Sequence, residues 1–115
     1  MPERFADRNL HVHNPSITLM RTTPGECAEL GRRLGTKLSA ATGPVALFVP
    51  LRGISALAGE DGPFADPDAD AALLAGLRET LDPSVEVHEM DVDVNDPSFA
   101  VAKAARLDEF LGGAR

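Results

Sequence analysis

Five consecutive apolar residues, Val45 to Val49 (VALFV), run without a polar alternation between the breaks Gly43-Pro44 and Pro50. A run of this kind reads as a strand buried on both faces, and such strands belong to parallel sheets covered by helices on either side. VALFV is therefore the expected central strand, and the rest of the chain must supply its cover.

The flanking segments fit that requirement. Leu10 to Asn14 (LHVHN) and Ser16 to Arg21 (SITLMR) are short extended pieces on either side of Pro15, compatible with one kinked strand. Thr23-Pro24-Gly25-Glu26 combines an N-cap, a proline at the first helical position and a glutamate three residues after the cap, so a helix should begin there. Cys27, Leu30, Leu34, Leu38 and Ala41 recur at spacings of three and four, predicting an apolar stripe that ends at Gly43-Pro44. Asp66-Pro67 starts a second helix, with a stripe of Leu73 or Leu74, Leu77 and Leu81, closed by Asp82-Pro83. Val85, Val87 and Glu89 alternate with Glu86, His88 and Met90, the pattern of a half-exposed strand nearer an edge. Asn95 or Asp96 caps a third helix, with Phe99, Leu107, Phe110 and Leu111 on one side and Gly112-Gly113 at its end. The order βαβαβα predicts a three-layer, Rossmann-like half with a small, mostly parallel sheet and right-handed crossovers. Residues 1–115 form one expected domain, with residues 1–9 a poorly ordered N-terminal segment.

A chain of 115 residues is long enough for one hydrophobic core without staples. No apolar run approaches the ~20 residues needed to span a bilayer. The charged N-terminus MPERFADRNL does not resemble a signal peptide, and the single Cys27 cannot form an internal disulfide, so a cytoplasmic location is expected. Asn14-Pro15-Ser16 is excluded as a glycosylation acceptor by its proline. A net charge of -7, with no Trp or Tyr and only 5 Phe, argues against a nucleic-acid surface, which needs clustered cations and stacking platforms.

In open parallel sheets, ligands sit beyond the carboxyl ends of the strands, beside helix N-termini. Three segments should arrive there: Met20 to Glu26 with Arg21, Thr22 and Thr23; Pro50 to Gly62 with Arg52, Gly53 and Ser55; and Asp91 to Asp96 with Asn95. Residues 50 to 65 form a Gly-rich connection of the length usually found in functional or mobile loops. Two loop arginines beside hydroxyls and helix starts suit a phosphate or carboxylate, and they equally suit surface pairing with the many acidic residues.

Other motifs fail on spacing. His11 and His13 share a strand face, but nothing places His88 or Asp91 beside them to complete a metal set. Asp66, Asp68 and Asp70 open like a calcium loop, yet Ala71 and Leu77 stand where Gly and Glu are required. Asp91, Asp93 and Asn95 fail the same test at Asp96 and Ala102. GRRLGTKLS (Gly31 to Ser39) lacks the phosphate-loop spacing and lies inside the first helix, and neither GxSxG nor GxGxxG occurs. Cys27 reads as a small core residue rather than a nucleophile.

The stretches HVHNPSITLMRTTPGECAELG, TGPVALFVPLRGISAL, GPFADPDADAALL and VNDPSFA, taken in order, resemble the C-terminal portion of an uncharacterised family. It is related to the ATP-binding inhibitory domain of the tomato mosaic virus resistance protein, and is called Tm-one-like. The resemblance implies a longer protein of two Rossmann-like subdomains, of which this chain would be the last part of the second. Plant forms add a barrel domain resembling phosphoenolpyruvate hydrolases. The residues at family motif positions are His13, Asn14, Arg21, Thr22, Arg52, Gly53, Ser55 and Asp66, for which the resemblance assigns no individual roles. It implies ATP with magnesium as the cofactor.

Three functions are carried forward. The first is a nucleotide- or phosphate-binding module that is not catalytic on its own. The second is an assembly domain that pairs with a copy of itself, most simply as a dimer, with the missing N-terminal subdomain or with a hydrolase-like barrel protein. The third is a subunit of an enzyme acting on a small phosphorylated or carboxylated metabolite, for which the base would come from His13, Asp66 or a residue outside this chain.

Overall fold

A computed structural model describes residues 2–112 of the chain. Strands β1 (Leu10–Asn14) and β2 (Ile17–Met20) precede helix α1 (Pro24–Ser39). Strand β3 (Ala46–Pro50), helix α2 (Pro67–Thr80), strand β4 (Glu86–Met90) and helix α3 (Pro97–Phe110) complete the order. The architecture is α/β, with a β3-α2-β4 unit whose strands pair in parallel, Ala46 opposite Glu86 through Pro50 opposite Met90.

The N-terminal extended pieces are a hairpin rather than one kinked strand. β1 and β2 pair antiparallel, Leu10 opposite Met20, as a two-stranded sheet separate from the parallel pair. Asn14 makes the reversal by accepting a bond from the Ser16 amide on its side-chain oxygen, 2.9 Å, the local turn chemistry that Asn-Pro-Ser provides. Ahead of β1, where the sequence offers no ordering element, Glu3–Phe5 forms a 3-10 turn. There Arg8 donates to the Arg21 carbonyl oxygen at 2.8 Å and to Glu26 at 2.5 Å.

All three helices begin as their capping residues dictate. The Thr23 hydroxyl accepts from the Glu26 amide while the Glu26 carboxylate accepts from the Thr23 amide, a complete capping box. Asp66 caps α2 through the Ala69 amide, and Asp96, not Asn95, caps α3 through the Ser98 amide. Each helix has proline in its first turn. The notion of Gly112-Gly113 as the stop is met at Gly112, which has a positive φ of 112°; Gly113 lies outside the described residues.

The core sits where α1 meets α2, and it differs from the expected leucine stripe. The buried face of α1 is Cys27, Gly31 and Gly35, while Leu30 and Leu34 are exposed. The reason is steric: a β-carbon at Gly31 would overlap the Leu73 carbonyl oxygen, and one at Gly76 of α2 would overlap the Ala28 carbonyl oxygen. Glycine at both positions lets the two backbones touch. Polar pins lock the same contact, with the Thr80 hydroxyl on the Arg32 carbonyl oxygen at 3.1 Å and the Asp82 amide on the Ser39 hydroxyl at 2.7 Å.

β3 also departs from expectation. None of its residues is fully buried, because β4 is its only strand neighbour among the described residues and a cleft lies along each of its faces. No helix of the described residues is long and apolar enough to cross a membrane.

Candidate functional site

The cleft on the α2 side of β3 encloses about 470 Å³. Its floor is apolar, formed by Val49 and Pro50 of the strand, Ile54 and Ala58 of the following loop, and Leu73, Leu74 and Leu77 of α2. Its rim carries Arg52, Glu60, Asp66 and Asp70. This is the position expected for a ligand in a βα unit, at the carboxyl end of a strand and the start of the next helix.

The loop that forms the rim is shaped by backbone constraints. Gly53 has a φ of 146° and lies so close to the next turn that an added β-carbon would stand 2.7 Å from the Gly59 α-carbon. Its carbonyl oxygen accepts from the Val94 amide at 3.0 Å, and the Arg52 amide donates to the Val92 carbonyl oxygen at 3.0 Å. The second and third expected segments therefore meet. Ser55 turns its hydroxyl oxygen to the Ala58 amide at 3.2 Å, and buried Phe64 closes the loop by donating its amide to the Leu57 carbonyl oxygen.

The two arginines play different parts. Arg52 lies exposed at the rim and forms a two-pronged pair with Asp91, at 2.8 and 3.1 Å. That pair lowers the Asp91 pKa, chiefly through the hydrogen bond from Arg52, and raises that of Arg52 in return. Arg21, expected on an open loop, is instead 7% exposed. Its guanidinium donates to the Phe64 carbonyl oxygen at 3.1 Å, to the Thr22 hydroxyl and to the Asp70 carboxylate. The residue ties the hairpin to the loop and to α2, and it reaches the cleft only through Asp70.

The remaining expected residues divide in the same way. Asp66 lines the cleft but spends a carboxylate oxygen on the α2 cap. Thr22 contacts the Cys27 sulfur at 3.1 Å, beneath the start of α1. His13 and Asn14 stand on the hairpin at its reversal and line neither of the clefts that flank β3. His11 packs edge-on against Phe64 with ring centroids 6.0 Å apart, whereas His88 stacks on Phe48 at 4.5 Å in the other sheet. Among the described residues no group of three or more His, Cys, Asp or Glu is placed to hold a metal ion. Glu60 escaped the sequence reading, and Asp70 entered it only in the rejected calcium-loop motif; its place at the cleft was traceable, one helical turn after Asp66 on the same face of α2.

The fold and cleft define an α/β domain with a βαβ unit open along both faces of its first strand. Residues 1–111 match the model of the Uncharacterised protein family (UPF0261) C-terminal domain, and the chain belongs to that family. It is 48% identical over 107 residues to a UPF0261 protein of Rhizobium meliloti, covering 91% of this chain and 27% of the relative. A UPF0261 protein of Clostridium tetani is 44% identical over 108 residues, covering 93% and 27%. The ToMV resistance protein Tm-1 of Solanum lycopersicum is 34% identical over 113 residues, covering 96% and 15%. The Tm-one-like resemblance is thereby borne out. The chain spans about a quarter of the length of its bacterial relatives.

Proposed function

We propose that this chain supplies one wall of a nucleotide- or phosphate-binding site and is not catalytic on its own. The observation that carries the reading is the cleft at the carboxyl end of β3, with Arg52 as its rim cation beside the start of α2. A guanidinium there can exchange its exposed carboxylate partner Asp91 for a phosphate at little cost, since exposed pairs contribute at most about 1 kcal/mol. The apolar floor suits the face of a planar base.

The charge balance selects the form of the ligand. Glu60, Asp66 and Asp70 face the same cleft, so a bare polyphosphate meets more negative charge than positive. Magnesium is commonly held by one or two carboxylates plus substrate phosphates, so ATP would enter with its cation already bound, and Glu60 at the rim would meet that cation.

Calorimetric titration of magnesium-ATP into the chain tests the proposal, with ATP in chelator and magnesium pyrophosphate as companions. Measurable binding with magnesium, lost in chelator and weakened roughly tenfold or more in Arg52→Ala, is expected, given about 1.5–3 kcal/mol for a charge-assisted contact. No heat and no thermal shift at millimolar magnesium-ATP would contradict it.

A further inference from the structure

Arg21 is buried behind the cleft at the carboxyl end of β3 and takes no part in its charged rim. Its guanidinium binds the Phe64 carbonyl oxygen at 3.1 Å and the Oδ1 atom of Asp70. Phe64 belongs to the loop that forms the rim, and Asp70 lines the cleft from α2. The Asp70 carboxylate is thereby held by one oxygen. Its side chain is 20% exposed, and its second oxygen, Oδ2, has no partner among the described residues. A carboxylate fixed at one oxygen and open at the other presents one aimed acceptor and no donor.

The place of that acceptor along α2 determines what it meets. Asp66, Asp70, Leu74 and Leu77 follow one another at helical spacing on one face, and all four line the cleft. A phosphate belongs at the Asp66 end, where the helix starts and Arg52 stands. Glu60 lies at that end too, near enough to Arg52 to help raise its pKa. The face of a base belongs on Leu74 and Leu77. Asp70 falls between the two, about 6 Å along the axis from Asp66 and about 6 Å from Leu74. In a nucleotide the group between phosphate and base is the sugar, whose hydroxyls donate hydrogen bonds.

We infer that Asp70 accepts a hydrogen bond from a ribose hydroxyl through Oδ2, so that the cleft selects ribonucleotides over deoxyribonucleotides, and that Arg21 is the positioning residue that aims it. The inference rests on the nucleotide reading above and adds the sugar to it. The other two carboxylates of the cleft are engaged elsewhere: Asp66 caps α2 through the Ala69 amide, and Glu60 stands at the phosphate end.

Calorimetric titration of the chain compares magnesium-ATP with its 2′-deoxy and 3′-deoxy forms. The parent should bind ATP at least about tenfold more tightly than one of the two, as expected when a hydrogen bond to a charged acceptor is lost. Asp70→Asn keeps the shape of the side chain and an oxygen for Arg21, which turns the amide nitrogen, a donor, to the cleft; the preference should fall below about threefold. Arg21→Lys keeps the charge but lacks the fork that serves Phe64 and Asp70 together. It should lower the preference while binding the deoxy form as the parent does. Arg52→Ala should weaken all three nucleotides alike and leave the preference intact. Binding of both deoxy forms within about twofold of ATP overturns the inference and leaves the nucleotide reading standing, as does a full preference in Asp70→Asn. A full preference in Arg21→Lys overturns the positioning role. Absence of binding by all three nucleotides overturns both readings.

Discussion

The α1–α2 pair and the α3–β3 contact are both helix packings within one short chain, yet they are built on opposite principles. In the first, Gly31 and Gly76 remove side chains altogether, so that backbone meets backbone and hydroxyls pin the ends. In the second, α3 has one fully buried residue, Phe99, set edge-on to Phe48 at 6.5 Å, and a rim ion pair between Arg106 and Glu86. The closed contact admits no change of volume. The open one still holds space for another element.

The largest effect should come from wedging the closed contact apart. Gly31→Val meets the Leu73 carbonyl, the Leu77 amide and the Gly76 backbone together, obstacles that cannot rotate away. A loss of about 4 kcal/mol or more is expected by denaturant unfolding, beyond the usual overpacking cost. Gly25→Ala in the same helix has no heavy atom within 4 Å of the added carbon and should instead stabilise by about 0.5 kcal/mol. If both substitutions proved neutral, the glycine contact would not be what holds the helices.

Next in size is Arg21→Ala, which strands the Asp70 carboxylate and frees the Phe64 carbonyl under the hairpin. About 3 kcal/mol should be lost, as when one partner of a largely buried pair is removed. Arg52→Ala should leave the unfolding midpoint almost unchanged. Equal destabilisation by the two would erase the distinction between tie and rim.

A smaller effect belongs to the open contact. Hydrogen bonds from Arg106, then from His88, hold Glu86 down at about 2 from its ordinary 4.5. A carboxylate depressed by folding stabilises fully above its unfolded pKa and loses that contribution as pH falls towards the folded value. Between pH 4.5 and about 2 the parent should therefore lose melting temperature more steeply than Glu86→Gln. Parallel slopes would mean that the pair does not fasten α3.

Element order, capping residues and helix starts were legible because Thr23, Asp66 and Asp96 act locally, through amides two or three residues away. The buried face of α1 was not, since hydrophobic spacing counts Leu30 and Leu34 and gives no weight to Gly31 and Gly35, which bury by absence of bulk. The hairpin was half legible: Asn14-Pro15-Ser16 signals a break, but pairing between its flanks depends on partners that periodicity does not record. VALFV was read correctly as a strand of a parallel sheet. Its burial depends on layers that this chain supplies only in part. At the cleft, Arg52 was found from its place at a strand end, whereas Asp66, legible from spacing only as a helix cap, was a site candidate through the family resemblance alone. Arg21 was misplaced because its burial comes from Phe64 and Asp70, more than forty residues away.

The contrast between the two packings is tested most directly by native-state hydrogen exchange on the isolated chain. Amides in the middle of α1 and α2 should open only with global unfolding, while those of α3 should exchange through local opening at least about tenfold faster. Equal opening free energies in all three helices would show α3 to be as firmly docked as the glycine-packed pair, and would contradict the account.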